Sequence, residues 1–460
     1  MKYKALCYLD DEQGRDAELI MPLVCFAEMY LNCKVEFAFV WNIHAIYRKK
    51  PDIVLLPNTV GSQWYFEISQ YAAQQGIKVF ALISEGNFRT NGTFNYWGYN
   101  TDKKYYQEYL CHWSKRTRDF LAEELPEIAE KNVVTGATGF DRYITDEFPG
   151  RKEFLKRRNL PDYKKIIGYA GWAFGKIYSD TGRMEIYGNH KEKAPARIKW
   201  MEEQMYKVEA FLRELISANP DILFILKRHP NETHPHITKE SLNEMIRLQD
   251  LPNVLYVRDD EPIHELIAIS DIWTGFETTT AMEAWMLGKR TVLFNPDPDF
   301  VRDKVHKGSV IARTTAEAQK LINEFYQTVD IEAFHTPDKV QIRKEVIRET
   351  IGYDDGLNHV RAGFYLRKTL IDCKKENIKL KFSFRYFKRF LGLRIGSFFY
   401  IKQLFIRLPK FKKTVWIFER HKLRNLKVLR KRKEINLRKY YSEKGLISIE
   451  DFEKFWQTTI

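Results

Sequence analysis

The feature that most constrains this chain is an alternation of short apolar runs with amphipathic stretches, which occurs once up to about Gly150 and again after a charged break. Tyr3–Leu9, Val35–Val40, Ile53–Pro57, Lys78–Ile83 and Asn132–Thr135 read as strands, while Asp16–Leu31 and Gln63–Gln75 carry apolar residues at helical spacing. Parallel strands need a crossover that covers a sheet face, so this pace predicts a parallel, doubly wound sheet. The charged stretch Arg151–Lys165, with Pro161 inside it, reads as a connector. Beyond it, strands are expected at Ile166–Ala170, Ile222–Lys227, Val254–Val257, Asp271–Thr274 and Thr291–Phe294. Helices are expected at Pro195–Ala218, Ile263–Ser270 and Thr279–Leu287. The predicted fold class is therefore α/β, with two tandem Rossmann-like domains at 1–155 and 156–375. A ligand cleft is expected at the carboxyl ends of the strands.

Residues 376–460 change character. Of the 75 Lys/Arg in the chain, 21 fall between Lys379 and Lys439, against two acids, Glu419 and Glu434. The remainder holds 54 basic and 59 acidic residues, so the body is mildly acidic and the tail carries the excess positive charge. Phe, Tyr and Trp416 interleave with these cations. That composition suits an anionic membrane surface, where rings enter the interface and Lys/Arg meet lipid phosphates. Nucleic acid is the less favoured partner, because the body carries no nucleic-acid motif, and a helical hairpin lying on the body would read the same. No apolar run reaches the roughly 18 residues of a membrane span. The opening MKYKALCYLDDEQG lacks the pattern of a signal peptide. Five scattered cysteines without metal spacing fit a reducing compartment. The expected location is the cytoplasm, peripheral on the inner face of the membrane.

Five local patterns carry chemistry. In ILKRHPNE a buried strand ends in Lys227, Arg228 and His229 before Pro230 breaks the ladder. Two cations and an imidazole at that end suit a phosphate, although a strand ending in solvated basic residues would look alike. In WTGFETTTAMEAWMLGKR, Thr278, Thr279 and Thr280 open a helix, Glu283 sits in its first turn within reach of a ribose hydroxyl, and Gly288 ends it. Plain helix capping is the alternative there. In ALISEGNFRTNG, Glu85 follows a strand and is placed as a general base, with Gly86 allowing the turn; an exposed loop acid is the alternative. Gly14, Arg15 and Asp16 start the first helix and are assigned to an acceptor site or cleft. Gly171, in GYAGWAFG, lets backbone approach a ligand closely. VTGATGFDRY closes the first domain with a similar Gly-rich turn.

Together these patterns resemble the bacterial capsule and surface-carbohydrate transferases of GT-B fold, over roughly residues 1–370. That group includes Kdo transferases, polysialyltransferases and CDP-glycerol glycerophosphotransferases. His229-Pro230 looks like their HP motif for a CMP donor. Glu85-Gly86 looks like the end of their acidic D/E-D/E-G motif, with Ser84 where its first acid would be. Thr278–Thr280 look like their phosphate-holding hydroxyls, and the Val134–Asp141 run is similar too. The resemblance implies an inverting, metal-independent glycosyltransferase that needs no cofactor. It would move a sugar from a nucleotide-activated donor, with CMP-Kdo favoured, to a surface polysaccharide or lipid-linked glycan acceptor of capsule or lipopolysaccharide. The alternatives are a CDP-glycerol-type polyol-phosphate transferase, a sugar-nucleotide 2-epimerase, and a non-catalytic scaffold.

Overall fold

The computed structural model describes residues 2–12, 14–84, 100, 102–229, 232, 242–258, 261–297, 299–373, 379–401, 417, 421 and 423–460. The chain divides into two compact units, Met1–Asp146 with Ile347–Ile460, and Glu147–Val346.

In the first unit the order is β1 (Tyr3–Leu9), α1 (Arg15–Tyr30), β2 (Cys33–Phe39), α2 (Ala45–Lys49), β3 (Ile53–Leu56), α3 (Gln63–Gln74) and β4 (Lys78–Ala81). It continues with β5 (Leu110–His112), α4 (Lys115–Glu124), β6 (Asn132–Val134) and α5 (Arg142–Thr145). All six strands pair in parallel, in the order β2-β1-β3-β4-β5-β6. Strands β1, β3 and β4 are buried on both faces, which is why they read as unbroken apolar runs rather than alternating ones. The second unit holds α6 (Arg151–Arg157), β7 (Lys165–Ala170), α7 (Asp180–His190), α8 (Ala194–Ser217), β8 (Ile222–Lys227), β9 (Val254–Val257) and α9 (Ile263–Ile269). Then come β10 (Ile272–Gly275), α10 (Thr280–Met286), β11 (Arg290–Phe294), β12 (Val310–Ala312), α11 (Thr315–Thr328) and most of α12 (Pro337–Thr350). Its sheet is again parallel, ordered β12-β11-β10-β7-β8-β9. Two tandem Rossmann-like units are thus present.

The stretch expected as a connector, Arg151–Lys165, instead begins with a helix, α6. Phe154 and Leu155 are buried against the second-unit core, and Arg151 bonds Asp271 and the Ile269 carbonyl. Its apolar pair was hidden among charges. The compact units divide after Asp146 and Val346 rather than after 155 and 375.

The C-terminal helices α13 (Asn358–Ile371), α14 (Phe384–Ile401), α15 (Leu426–Glu443) and α16 (Ile449–Thr459) belong to the first unit. Phe26 of α1 meets Phe452 and Trp456 of α16 edge-on, with ring centres 5.0 and 6.1 Å apart. Each such pair adds about 0.5–1.5 kcal/mol beyond the area it buries. Asp141, following β6, is completely buried. Its carboxylate accepts from the Asn358 and His359 backbone N–H groups, the Asn358 amide and His359 Nδ1, at 2.7–3.1 Å. His359 Nε2 in turn meets the Tyr441 hydroxyl of α15. Lys433 of α15, 1% exposed, pairs with Glu18 at 2.7 Å and with Asp146. Burial pushes the Glu18 pKa up, but Lys433 and Arg142 outweigh it and carry it down to about 2. The conspicuous charge of the tail therefore includes cations that hold it to the body.

Candidate functional site

In the second unit, the sheet order sets which segments share the carboxyl edge. Strand β7 lies between β8 and β10, so Gly171, Arg228 and Phe276 leave the sheet side by side. Gly171 donates its N–H to the Lys227 carbonyl at 2.9 Å. A Cβ at Gly171 would stand 2.6 Å from Met245 Cε and 3.2 Å from the Lys227 carbonyl oxygen, so the protein's own atoms close tightly on this glycine. On the other side, Gly275 adjoins Thr278 and the Ala170 carbonyl. Gly171, Lys227, Arg228, His229 and Thr278 are thus brought to one edge.

The chemistry of that edge is set by burial. His229 is pushed down to about pKa 4, first by burial and then by Lys176 and Lys227, so its imidazole is neutral near pH 7. Lys227 is buried and donates to the Arg258 carbonyl. Arg228 is buried as well. A neutral imidazole N–H and cations in a poorly solvated edge interact more strongly with a phosphate than in water.

The threonines behave differently from the expectation of a phosphate-holding trio. The hydroxyls of Thr278 and Thr280 bond each other at 2.7 Å. Trp273 Nε1 donates to Thr280 at 2.8 Å, and the Thr280 N–H donates to Thr278 Oγ1 at 3.1 Å. Thr279 is the residue preceding α10, and its side chain makes no capping bond. Helix α10 has only seven residues, with Glu283 in its first turn, partly buried. Two of the three hydroxyls thus serve the local turn.

Sequence reasoning missed the groups that complete this edge, which arrive from beyond β10 and β11. Arg302 is buried and donates to the Phe294 carbonyl at 2.6 Å and to the Phe276 carbonyl, with Phe276 and Phe300 rings 5.1 and 5.5 Å from its guanidinium. Burial lowers its pKa to about 10, which leaves it charged. Burial and Arg302 lower His306 to about 4, and its Nε2 lies 3.4 Å from Glu277, whose own pKa burial raises. Arg197 of α8 lies over Trp172 and Trp200, at 5.5 and 4.2 Å. These residues lie outside any short motif, and no local sequence pattern signalled them.

Behind Gly171 sits a pair of buried acids. Glu244, fully enclosed, accepts from the Trp172 N–H at 3.1 Å and the Tyr169 hydroxyl at 3.3 Å. Glu232 accepts from the Gly175 N–H at 2.8 Å and from Asn243 at 3.1 Å. Burial raises both well above the ordinary carboxylate range, and for Glu232 the charge of Glu244 adds to it. Both acids hold the Gly171–Gly175 loop through its backbone.

In the first unit, Gly14 precedes α1 in extended backbone (φ −76°, ψ 170°) and Arg15 and Asp16 open the helix. Asp16 is pushed up to about pKa 6 by burial and by Asp10, against the pull of Arg15 and bonds from Tyr65 and Ser84. The Tyr65 hydroxyl also accepts from the Asp10 N–H at 3.1 Å. Gly14, Arg15 and Asp16 thus lie at the carboxyl end of β1, with Asp16 also touching Ser84 beyond β4. Glu85 and Gly86 lie outside the described residues. Among the described residues no group of three or more His, Cys, Asp or Glu is arranged to hold a metal ion.

No protein-family model matches the sequence, and no curated protein matches it. Solved structures do. A putative UDP-N-acetylglucosamine 2-epimerase from Listeria monocytogenes aligns over 83% of this chain and 100% of its own, at 13% identity and a TM-score of 0.51. Another UDP-N-acetylglucosamine 2-epimerase aligns over 83% and 100%, at 15% identity and a TM-score of 0.52. These matches overturn the glycosyltransferase expectation, together with its CMP-Kdo donor and its capsule or lipopolysaccharide product. The structures found are UDP-N-acetylglucosamine 2-epimerases, so the findings back the sugar-nucleotide 2-epimerase alternative better than the transferase reading. The physical reason for the error is that a basic strand end and a hydroxyl-rich turn report phosphate binding, which both reaction classes require. What the likeness establishes is the fold: two Rossmann-like units arranged along the chain as in those epimerases, the architecture known as GT-B.

Proposed function

We propose that the chain is a sugar-nucleotide 2-epimerase, holding the diphosphate of a UDP-sugar on the carboxyl edge of its second sheet. The observation that carries this reading is the gathering of Arg228, neutral His229 and the closely approached Gly171 backbone at one edge, on a fold shared with UDP-N-acetylglucosamine 2-epimerases. Arg228 supplies charge to the phosphates and His229 donates an N–H. Trp172, with Arg197 over it, is the flat surface of this edge suited to a nucleobase or sugar face. Inverting C2 requires its hydrogen to leave and a proton to return on the opposite face, so a group that exchanges protons near neutrality is needed. In this reading the reaction needs neither metal nor cofactor.

The test is incubation with UDP-N-acetylglucosamine in deuterated water, followed by proton NMR. The expected outcome is a C2-epimeric product carrying deuterium at C2. A substrate that binds yet shows neither epimer nor exchange removes the epimerase assignment. Absence of any thermal shift with UDP removes the nucleotide site, because a ligand at 100 times its Kd adds about 2.7 kcal/mol.

A further inference from the structure

Helix α14 packs on the first unit by one face only. Tyr386 and Leu393 join the core around Ile68 and Tyr71, and Arg389 and Arg385 pair with Glu67. The opposite face is apolar and open: Phe384 is 70% exposed, Leu391 40%, Ile395 54% and Phe398 59%. At 3.6 residues per turn these four fall within an arc of about 60°, along about 21 Å of helix. Scattered exposed apolar residues need no explanation, but an aligned stripe of this kind does. Residues 379–401 carry six Lys/Arg and no acid, and Lys388 borders the arc.

Beside the stripe, Arg394 of α14 lines a cavity of about 470 Å³ together with Arg48, Arg424 and His421. Phe390 and Leu393 supply its apolar wall, and the Arg48 guanidinium lies 5.1 Å from the Phe390 ring. No acidic residue is among its described lining residues. An apolar stripe flanked by cations, with a cationic hollow at its edge, matches the layering of an anionic bilayer: hydrocarbon boundary first, phosphate just above it.

We propose that the open face of α14 docks the protein on an anionic lipid surface, with Phe384, Leu391, Ile395 and Phe398 entering the interface and Arg48, Arg394 and Arg424 taking a lipid phosphate. The fully paired Lys433 of α15 contributes nothing to this contact, so the docking surface is narrower than the basic tail. The proposal is independent of the epimerase reading and survives its failure. No helix among the described residues is long and apolar enough to cross a membrane, and docking of this kind requires none.

The experiment is co-sedimentation of the full chain with phosphatidylcholine vesicles, with and without phosphatidylglycerol, at low and high salt. Binding is expected only with phosphatidylglycerol and should fall as salt rises. Replacing both Ile395→Glu and Phe398→Glu should abolish it. Replacing both Arg394→Ala and Arg424→Ala should weaken it on the order of twentyfold, since each basic residue at such a surface is worth about fivefold. Unchanged thermal unfolding of both variants shows that the fold is intact. Equal binding to neutral vesicles, or either variant binding as the parent does, overturns the proposal. So does retention of duplex DNA or inorganic phosphate by the parent without any vesicle binding.

Discussion

Both units bury carboxylates, and they do so in opposite ways. In the first, Asp141 faces His359 and two backbone N–H groups, while Glu18 and Asp146 close on Lys433. Opposite charge carries the Glu18 pKa down to about 2 despite burial. In the second, Glu232 has the charge of Glu244 beside it, and the Gly175 and Asn243 donors together with Arg228 do not offset burial; Glu244 is enclosed among neutral donors. Their pKa values rise. The first arrangement ties chain segments far apart in sequence into one body. The second stores electrostatic tension directly behind a Gly-rich loop at the candidate ligand edge. Buried charge that closes on a partner reads as architecture; buried charge that does not close on one marks a place where a ligand or a proton is handled.

The sharpest way to break this contrast is Asp141→Ala. It strands the His359 imidazole, the Asn358 amide and two backbone N–H groups in the core. Removing one side of a buried pair costs about 3–5 kcal/mol, so the first unit should lose most of its stability in a urea titration. A loss below about 1 kcal/mol, the net worth of one ordinary hydrogen bond, would mean that the cluster is not what holds α13 and α15 to the sheet.

Arg228→Ala tests the other side. Charge-assisted hydrogen bonds are worth about 1.5–3 kcal/mol, so affinity for UDP measured by calorimetry should fall roughly tenfold to a hundredfold. Because Arg228 also lowers the Glu232 pKa, a smaller loss of stability without ligand should accompany the loss of affinity. If the apo protein is instead strongly destabilised with UDP affinity intact, Arg228 is a structural counter-charge for Glu232, and the division between the units fails.

These two residues also show what was legible in the sequence. Arg228 stood in a short motif at a strand end, where one dipeptide and one proline give the location. Tyr3–Leu9, Ile222–Lys227 and Val254–Val257 were readable to the residue as apolar-rich runs, Ile222–Lys227 being buried throughout. Asp141 stood out only as the end of a Gly-rich turn. Its partners lie more than two hundred residues away at Asn358 and His359, and no local pattern signals such a pairing. Arg302 and His306 were missed because they lie outside any short motif, although their partners are within thirty residues. Strands β5 and β12, three residues each, were missed, whereas β6, equally short, was read at Asn132–Thr135. The reaction class was misread because residues that hold phosphate do not say which bond the enzyme makes or breaks.

The smallest effect, and the one that sharpens the contrast most, is Glu244→Gln. Folded-state pKa values raised above the unfolded one mean that the native state holds more protons between the ordinary carboxylate value and about 8. The stability contributed by the protonated pair is complete below that window and is lost as pH rises through it. Gln keeps the shape and can still accept from the Trp172 N–H, but it removes one of the two like charges. The variant should therefore match the parent near pH 5 and exceed it near pH 8, by about 1.4 kcal/mol for every tenfold fall in proton affinity that the substitution brings to the pair. Thermal unfolding across that range reads the effect directly. The corresponding Glu18→Gln change in the first unit should act with the opposite sign. It removes a carboxylate that Lys433 holds in its charged form, so it should destabilise the protein at every pH above about 4 and show no gain at pH 8. Parallel pH profiles for the two variants would mean that the acids of the two units are not differently used after all.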